Sequence, residues 1–399
     1  MTLATDTSAL SLHRPDFPLL EREIDGRPVI YLDSAATALR PKPVLEAITA
    51  FYSDYTANVH RAVHRLSEEA TERFEEAREE IARFIGAEAR EVAFVRHATE
   101  ALNVVARSLP EGSAVALPDS EHHSNLLPWR RHRVLRLAVD GNGRVDPERA
   151  AAALRGERPD LLSFSPVGNA LGTRQPTADL IAAAREAGTA VMLDVSQVIG
   201  HEPLDVLDLD CDYLCFSGHK MMGPGGVGVL YARSGREVGL EPLLEGGSMV
   251  LNVHVEDHEL QAFPWALEAG TPNIEGVLGL AAACRYLDGI GLEVIEHHGR
   301  ELGRRLREEL AGVERVRLHG GDPEGTITSF TMDGLKAHGV ARMLSNRHAI
   351  MVRSGYHCAQ PLHEIHGLPE TVRISLHLYN TREEIETCVE AIRTIAKMP

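Results

Sequence analysis

The chain lacks a paired-cysteine framework, a long apolar run, an excess of positive charge, and any internal repeat or low-complexity stretch. Its five cysteines are Cys211, Cys215, Cys284, Cys358 and Cys388. An odd number at irregular spacing excludes a secreted disulfide-built fold. No stretch approaches the roughly 18 uninterrupted apolar residues of a membrane span. The opening residues, MTLATDTSALSLHRPDF, have no basic start followed by an apolar run, so no secretory signal is expected. A cytoplasmic protein is the expectation. With 41 Lys and Arg against 58 Asp and Glu, the formal charge is −17. Such a chain offers little positive field to nucleic acid or an anionic membrane, and neither is an expected partner. A local site on it can still be positive.

At 399 residues, with 44% hydrophobic and 25% charged, the composition is that of an ordinary globular protein of about two domains. Short apolar runs alternate with helical patterns through the middle of the chain. Glu91–Val95, Ala114–Leu117, Leu161–Phe164, Val191–Leu193 and Tyr213–Phe216 are predicted strands. Thr177–Ala187 is a predicted helix closed by Gly188, and Ser67–Phe84 a predicted amphipathic helix capped by Ser67. This alternation implies an α/β fold, with a mostly parallel sheet flanked by helices. Beyond a long helix at Leu292–Leu310, predicted strands at Thr326–Met332, Ile350–Val352 and Thr371–Leu376 and helices at Val340–Asn346 and Arg382–Lys397 suggest a smaller α+β unit. The expected division is a large domain over residues 25–290, with residues 1–24 and 291–399 forming the small one.

Ligands of parallel sheets sit at the carboxyl ends of strands, and four segments there carry chemistry. Ser217-Gly218-His219-Lys220 follows one strand, and a desolvated lysine amine forms Schiff bases with aldehydes. Asp194-Val195-Ser196-Gln197 follows another. Asp194 either keeps a pyridinium nitrogen protonated or caps a helix, and Gln197 is within reach of the same ring's phenolic oxygen. Glu121-His122-His123 supplies an imidazole to stack on a ring and shuttle a proton. No cysteine pair or similar ligand set lies near it, so no metal is expected. Ala98-Thr99-Glu100 opens a helix, and the N–H groups and hydroxyl there suit a phosphate or a simple cap. The run Gly223-Pro224-Gly225-Gly226-Val227-Gly228 precedes a strand, the wrong context for a dinucleotide fingerprint.

Taken in this order, the segments resemble the fold-type I pyridoxal 5′-phosphate (PLP) enzymes of the class V aminotransferase superfamily. Within these, the chain is most similar to the Suf-type (group II) cysteine desulfurases and selenocysteine lyases. The resemblance runs from Tyr31-Leu32-Asp33-Ser34-Ala35-Ala36 to Tyr379-Asn380-Thr381. It includes Asn58-Val59-His60-Arg61, Asn169-Ala170-Leu171-Gly172-Thr173, Ala269-Gly270-Thr271-Pro272-Asn273 and Arg353-Ser354-Gly355-Tyr356-His357-Cys358-Ala359-Gln360-Pro361. It implies that Lys220 holds PLP and later moves protons. Asp194 pairs with the ring nitrogen, Gln197 contacts the phenolic oxygen, and His122 stacks and assists proton transfer. Ala98, Thr99, Ser217 and His219 hold the phosphate. Thr271 reaches the cofactor of a second subunit, which implies a homodimer. Arg373 clamps the substrate carboxylate, a task suited to a guanidinium fork, while Asn169 and Arg353 position the substrate. Cys358 takes sulfur from L-cysteine as a persulfide, leaving alanine, with Arg353 and His357 as cationic neighbours favouring its thiolate. The other four cysteines are expected in the core. The sulfur then passes to a Suf-type acceptor protein for iron–sulfur cluster assembly, with L-selenocysteine an alternative substrate. His338 is a weaker lead toward acceptor contact.

Three positions depart from the family pattern. His97-Ala98 stand where a Gly-Thr run is usual, Pro166 where many relatives have His, and Tyr356 where a second His is common. They keep open another class V PLP enzyme, such as an epimerase, transaminase or C–S lyase. A catalytically silent partner of a sulfur carrier is the reading from outside enzymology.

Overall fold

Seven strands build the central sheet of the computed structural model, which describes Leu10 and residues 13–398. They are β1 (Val92–Val95), β2 (Ala114–Pro118), β3 (Arg133–Leu137), β4 (Leu161–Phe164), β5 (Ala190–Asp194), β6 (Tyr213–Ser217) and β7 (Gly228–Ala232). Their spatial order is β1-β7-β6-β5-β4-β2-β3. Strands β2 to β6 run parallel, and β7 lies antiparallel to both β6 and β1. The expected strands are present. β3 was not anticipated, because its alternating Arg-Val-Leu-Arg-Leu pattern is that of a half-exposed edge, not a buried run.

Why the inner strands read as continuous apolar runs follows from their burial on both faces. Phe94, Ala116, Leu162, Val191, Leu214 and Val229 face one core, while Ala93, Val115, Leu161, Met192, Cys215 and Leu230 face the other. Helices α1 (Lys42–Asp54), α2 (Arg65–Phe84), α3 (Ala98–Ser108), α4 (Pro147–Glu157), α5 (Thr177–Ala187) and α6 (Ile274–Ile290) cover them. Gly188 ends α5 at φ 74°, its N–H bonded to Ala184 and Arg185 carbonyls. Ser67 is not the cap of α2. The helix starts two residues earlier, the His64 ring accepts the Ser67 N–H, and the Ser67 hydroxyl donates to Asn58 O at 2.6 Å.

The second core lies under a four-stranded antiparallel sheet of β8 (Val316–His319), β9 (Ile327–Met332), β10 (Arg353–Gly355) and β11 (Thr371–Ser375), in the order β8-β9-β11-β10. Helices α7 (Leu292–Ala311), α8 (Ala337–His348) and α9 (Arg382–Ala396) supply Leu302, Leu306, Val340, Leu344, Ile385 and Ile392 to it. Ile350–Met351 stays outside this sheet and pairs in parallel with Ile30–Tyr31. Residues 1–9, 11, 12 and 399, part of the expected small-domain segments, lie outside the described residues. Phe17 and Leu20, also expected there, pack into the larger core, whereas Ile30 and Leu32 pack into the smaller. Among the described residues no helix is long and apolar enough to cross a membrane.

One glycine sets how closely two strand ends can approach. Gly228 pairs with both Val95 and Ser217. A Cβ there would stand 2.6 Å from Phe216 O and 2.9 Å from His97 Cα. Gly228→Ala is expected to cost about 1–3 kcal/mol through forced displacement of the sheet, read as a lowered urea midpoint.

Candidate active site

Because β1, β2, β4, β5 and β6 point the same way, the segments that follow them gather at one edge of the sheet. They line a cavity of about 240 Å3 that includes Lys220, Asp194, His122, Thr99, Cys358 and Arg373. Ala98, Asn169, Ser217, His219 and Arg353 also border it. Two sequence-expected residues do not. Gln197 lines a separate recess and donates from Nε2 to Ala35 O at 3.1 Å. Thr271 lies in another recess beside Arg96 and Glu100.

Each side chain is held locally. Asp194 ends β5, buried to 8% exposure, and its Oδ1 accepts the Ser196 N–H at 3.0 Å. This is a turn and not a helix cap. Ala98 opens α3 with His97 as the cap, the ring Nδ1 accepting Glu100 N–H at 3.2 Å. The departures from the family pattern thus find local roles. Ala98 N–H donates to Ser217 Oγ at 2.9 Å, tying the helix start to the end of β6. Thr99 Oγ1 and Ser124 Oγ are 2.7 Å apart. Pro166 O accepts the Gln175 N–H at 2.9 Å. Tyr356 packs edge-on to the His363 ring at 5.2 Å.

The smaller sheet closes the cavity from the other side. Arg373, on β11 and 2% exposed, donates to Asn169 O at 2.8 Å and to Asp33 Oδ1 at 3.1 Å. Its Nε finds no hydrogen-bond partner among the described residues. Asn169 turns its own amide to His357 O at 2.5 Å. His123 N–H donates to Cys358 O at 2.8 Å. Asp33, seen in the sequence only as part of a landmark, is therefore a site residue. Its signal was position in that landmark and nothing in its chemistry. Cys211, Cys215, Cys284 and Cys388 are buried, and Cys358 is the partly exposed one.

Burial dominates the titration of the site. It pushes the Lys220 amine down, against the opposing pull of Asp194. Burial, then Lys220, takes His122 down to about 4, and the same two causes in that order take His219 to about 4. Burial and then Arg373 push His357 down to about 3. His357 is thus neutral near pH 7, which corrects the expectation that it is a cationic neighbour of Cys358. Glu121, beside His122, moves the other way, burial raising it to about 7 despite bonds from Ser165 and Asn125.

The residues fit PLP. Burial pushes the lysine amine toward the neutral, imine-forming state, Asp194 lies in the same cavity, and hydroxyls and N–H groups border a helix start. Fold and site together define a PLP-dependent enzyme of fold-type I. The comparisons agree. Residues 30–388 match the aminotransferase class-V family. A cysteine desulfurase of Salmonella agona (strain SL483) is 40% identical, covering 96% of this chain and 98% of its own length. Among solved structures, the apo cysteine desulfurase of Thermococcus onnurineus NA1 superposes with TM-score 0.91 at 39% identity, covering 96% of this chain and 97% of that one. The S-sulfonic acid form of the cysteine desulfurase CsdA from Escherichia coli gives 0.86 at 34%, covering 96% and 98%. The chain belongs to the class V aminotransferase family.

The depressed imidazoles fix a pH dependence. His122, His201 and His219 fall from 6.5 to about 4, His357 to about 3, and His377, ring to ring with His201 at 4.1 Å, well below 6.5. Unfolding frees each to take a proton, so their stabilisation is complete above pH 6.5 and is lost as pH falls toward 4. Glu121, Asp33 and Asp288 oppose them, since a raised carboxyl stabilises the fold at low pH. Urea unfolding followed across this window is expected to show stability falling with acid and net proton uptake on unfolding.

Proposed function

We propose that the chain is an L-cysteine desulfurase. It releases L-alanine and leaves the sulfur as a persulfide on Cys358, for transfer to a Suf-type acceptor in iron–sulfur cluster assembly. L-Selenocysteine is an alternative substrate, and the enzyme works in the cytoplasm as a homodimer. The observation that carries this reading is Cys358 on the wall of the cavity that also holds Lys220 and Arg373. Cysteine desulfurases among the similar proteins support it.

Lys220 would hold PLP through its amine, which burial pushes toward the neutral form. Bound there, PLP would supply an electron sink for the bond that breaks in the substrate. Asp194 would pair with the ring nitrogen, and Gln197, whose amide donates to Ala35 O from a neighbouring recess, would have to turn to reach the phenolic oxygen. The Ala98 N–H, Thr99, Ser217 and His219 would hold the phosphate. Arg373 takes the substrate carboxylate, with Asn169 and Arg353 orienting it. A neutral His122 accepts and returns a proton, as does Lys220. The Cys358 sulfur attacks the substrate sulfur, the C–S bond breaks, and its electron pair stays with carbon, which is then protonated. Cysteine and one thiol thus become alanine and one persulfide, with atoms and electrons balanced.

Two finer readings have their own support. Thr271 lies outside the cavity. Beside it the hairpin Val250–Val253 and His258–Leu260 exposes Leu251, Val253 and Val255 around a recess of about 710 Å3 shared with His60, Arg61 and Pro272. A second copy covering this apolar surface brings Thr271 to the partner's phosphate. His338, whose Nδ1 is 2.7 Å from Ser354 Oγ on the strand leading to Cys358, is the proposed acceptor contact.

Purified protein given L-cysteine and a thiol reductant is expected to form alanine, and a PLP-loaded protein that forms none would sink the desulfurase reading. Cys358→Ala should abolish cysteine turnover while leaving selenocysteine turnover, because selenium departs without a nucleophile. Val253→Asp should shift the protein from dimer to monomer in sedimentation and weaken PLP retention together.

A further inference from the structure

We infer that the Ser196 hydroxyl is a further cofactor-holding group, donating a hydrogen bond to an acceptor on the pyridoxal ring system. The inference rests on the PLP site proposed above. Ser196 borders the same cavity as Lys220 and Asp194, yet it is only 4% exposed, and its hydroxyl finds no hydrogen-bond partner among the described residues. Other hydroxyls of the cavity are engaged: Thr99 with Ser124 at 2.7 Å, and Ser217 with Ala98 N–H at 2.9 Å.

A serine in a turn ordinarily turns its hydroxyl back on its own backbone. Here the local groups are already committed. Ser196 N–H donates to Asp194 Oδ1 at 3.0 Å. Val195 N–H donates to Cys215 O at 2.9 Å, and Val195 O receives both Val198 N–H at 2.8 Å and Ile199 N–H at 2.9 Å. The turn is locked between the end of β5 and the sheet, so the hydroxyl cannot reach a partner by moving the chain. A buried hydroxyl with no partner is unfavourable, and a ligand that brings an oxygen acceptor beside it removes that penalty. Sequence reading passed over Ser196 because it sits between two residues with recognised chemistry and resembles any turn serine.

The test is PLP titration of the apoproteins of wild type, Ser196→Ala and Ser196→Cys, read by absorbance, with melting of each apoprotein as the control for folding. Both variants are expected to melt like wild type, to bind PLP about threefold to tenfold more weakly, and to show a displaced absorption maximum. Cysteine keeps the size of serine and is a poor donor, so it separates the hydrogen bond from packing. Wild-type affinity and spectrum in both variants overturn the inference, as does a defect in the alanine variant alone. Borohydride reduction of wild type followed by peptide mapping separates the two levels. PLP fixed on Lys220 with indifferent Ser196 variants overturns only this inference, whereas PLP fixed elsewhere overturns the site assignment and this inference with it.

Discussion

A guanidinium buried between two sheets is the interaction on which the rest of the site depends. Arg373 leaves the smaller sheet on β11 and ends on Asn169 O and Asp33, both belonging to segments of the other side of the cavity. Burial depresses its charged form, and Asp33 offsets that only in part, being itself raised by burial. A buried ion pair of this kind is weak as a source of stability, and removing one partner strands the other. What the pair does is fix geometry. The same Asn169 that receives Arg373 also holds the His357 carbonyl next to Cys358. Arg373 and the segment carrying Cys358, the proposed carboxylate pocket and nucleophile, are therefore both fixed by Asn169.

The electrostatic sign of the cavity follows. Two guanidiniums, Arg353 and Arg373, and the Lys220 amine that burial pushes down meet Asp33 and Asp194 here, in a chain of formal charge −17. Neutral imidazoles make this tolerable. If His122, His219 and His357 were charged as well, each would add repulsion to Lys220 or Arg373, and those cations are among the causes that hold them neutral. A cavity of limited size lined by two guanidiniums suits a phosphorylated cofactor and an amino-acid carboxylate, even in a chain whose net charge is negative.

Much of this was legible in the chain because strand burial and strand ends are local properties. Runs such as Leu161–Phe164 announce a strand covered on both faces, and the polar residues just after such runs are where ligands of parallel sheets sit. What escaped was long-range or depended on charge state. Asp33 and Arg373 are 340 positions apart, and no spacing rule links them. The neutrality of His357 comes from burial beside Arg373, a fact of packing. Ser67 was read as a cap because serine favours that position, yet Asn58 O competes for its hydroxyl and His64 takes the cap. β3 hid behind two arginines, and Thr271 faces away from its own cavity.

The backbone around Cys358 bears on how sulfur leaves substrate. His357 and Cys358 lie consecutively in the left-handed region, at φ 50° and 58°. For residues with a Cβ that conformation costs roughly 1–2 kcal/mol each and persists only where the surroundings over-determine it. They do so here: His123 N–H holds Cys358 O, Asn169 holds His357 O, Ala359 N–H returns to Tyr356 O at 2.9 Å, and the His357 ring is anchored 2.9 Å from Thr371 Oγ1. A thiol on so constrained a segment does not travel to its substrate on a swinging loop. In the proposed reaction the reacting sulfur is brought to it, with Arg373 gripping the substrate carboxylate and Lys220 holding the cofactor. Substrate choice is then decided by the distance between those two anchors and Cys358, so a change at Asn169, which touches Arg373 and the Cys358 segment together, disturbs the reaction more directly than a change at the exposed Tyr356.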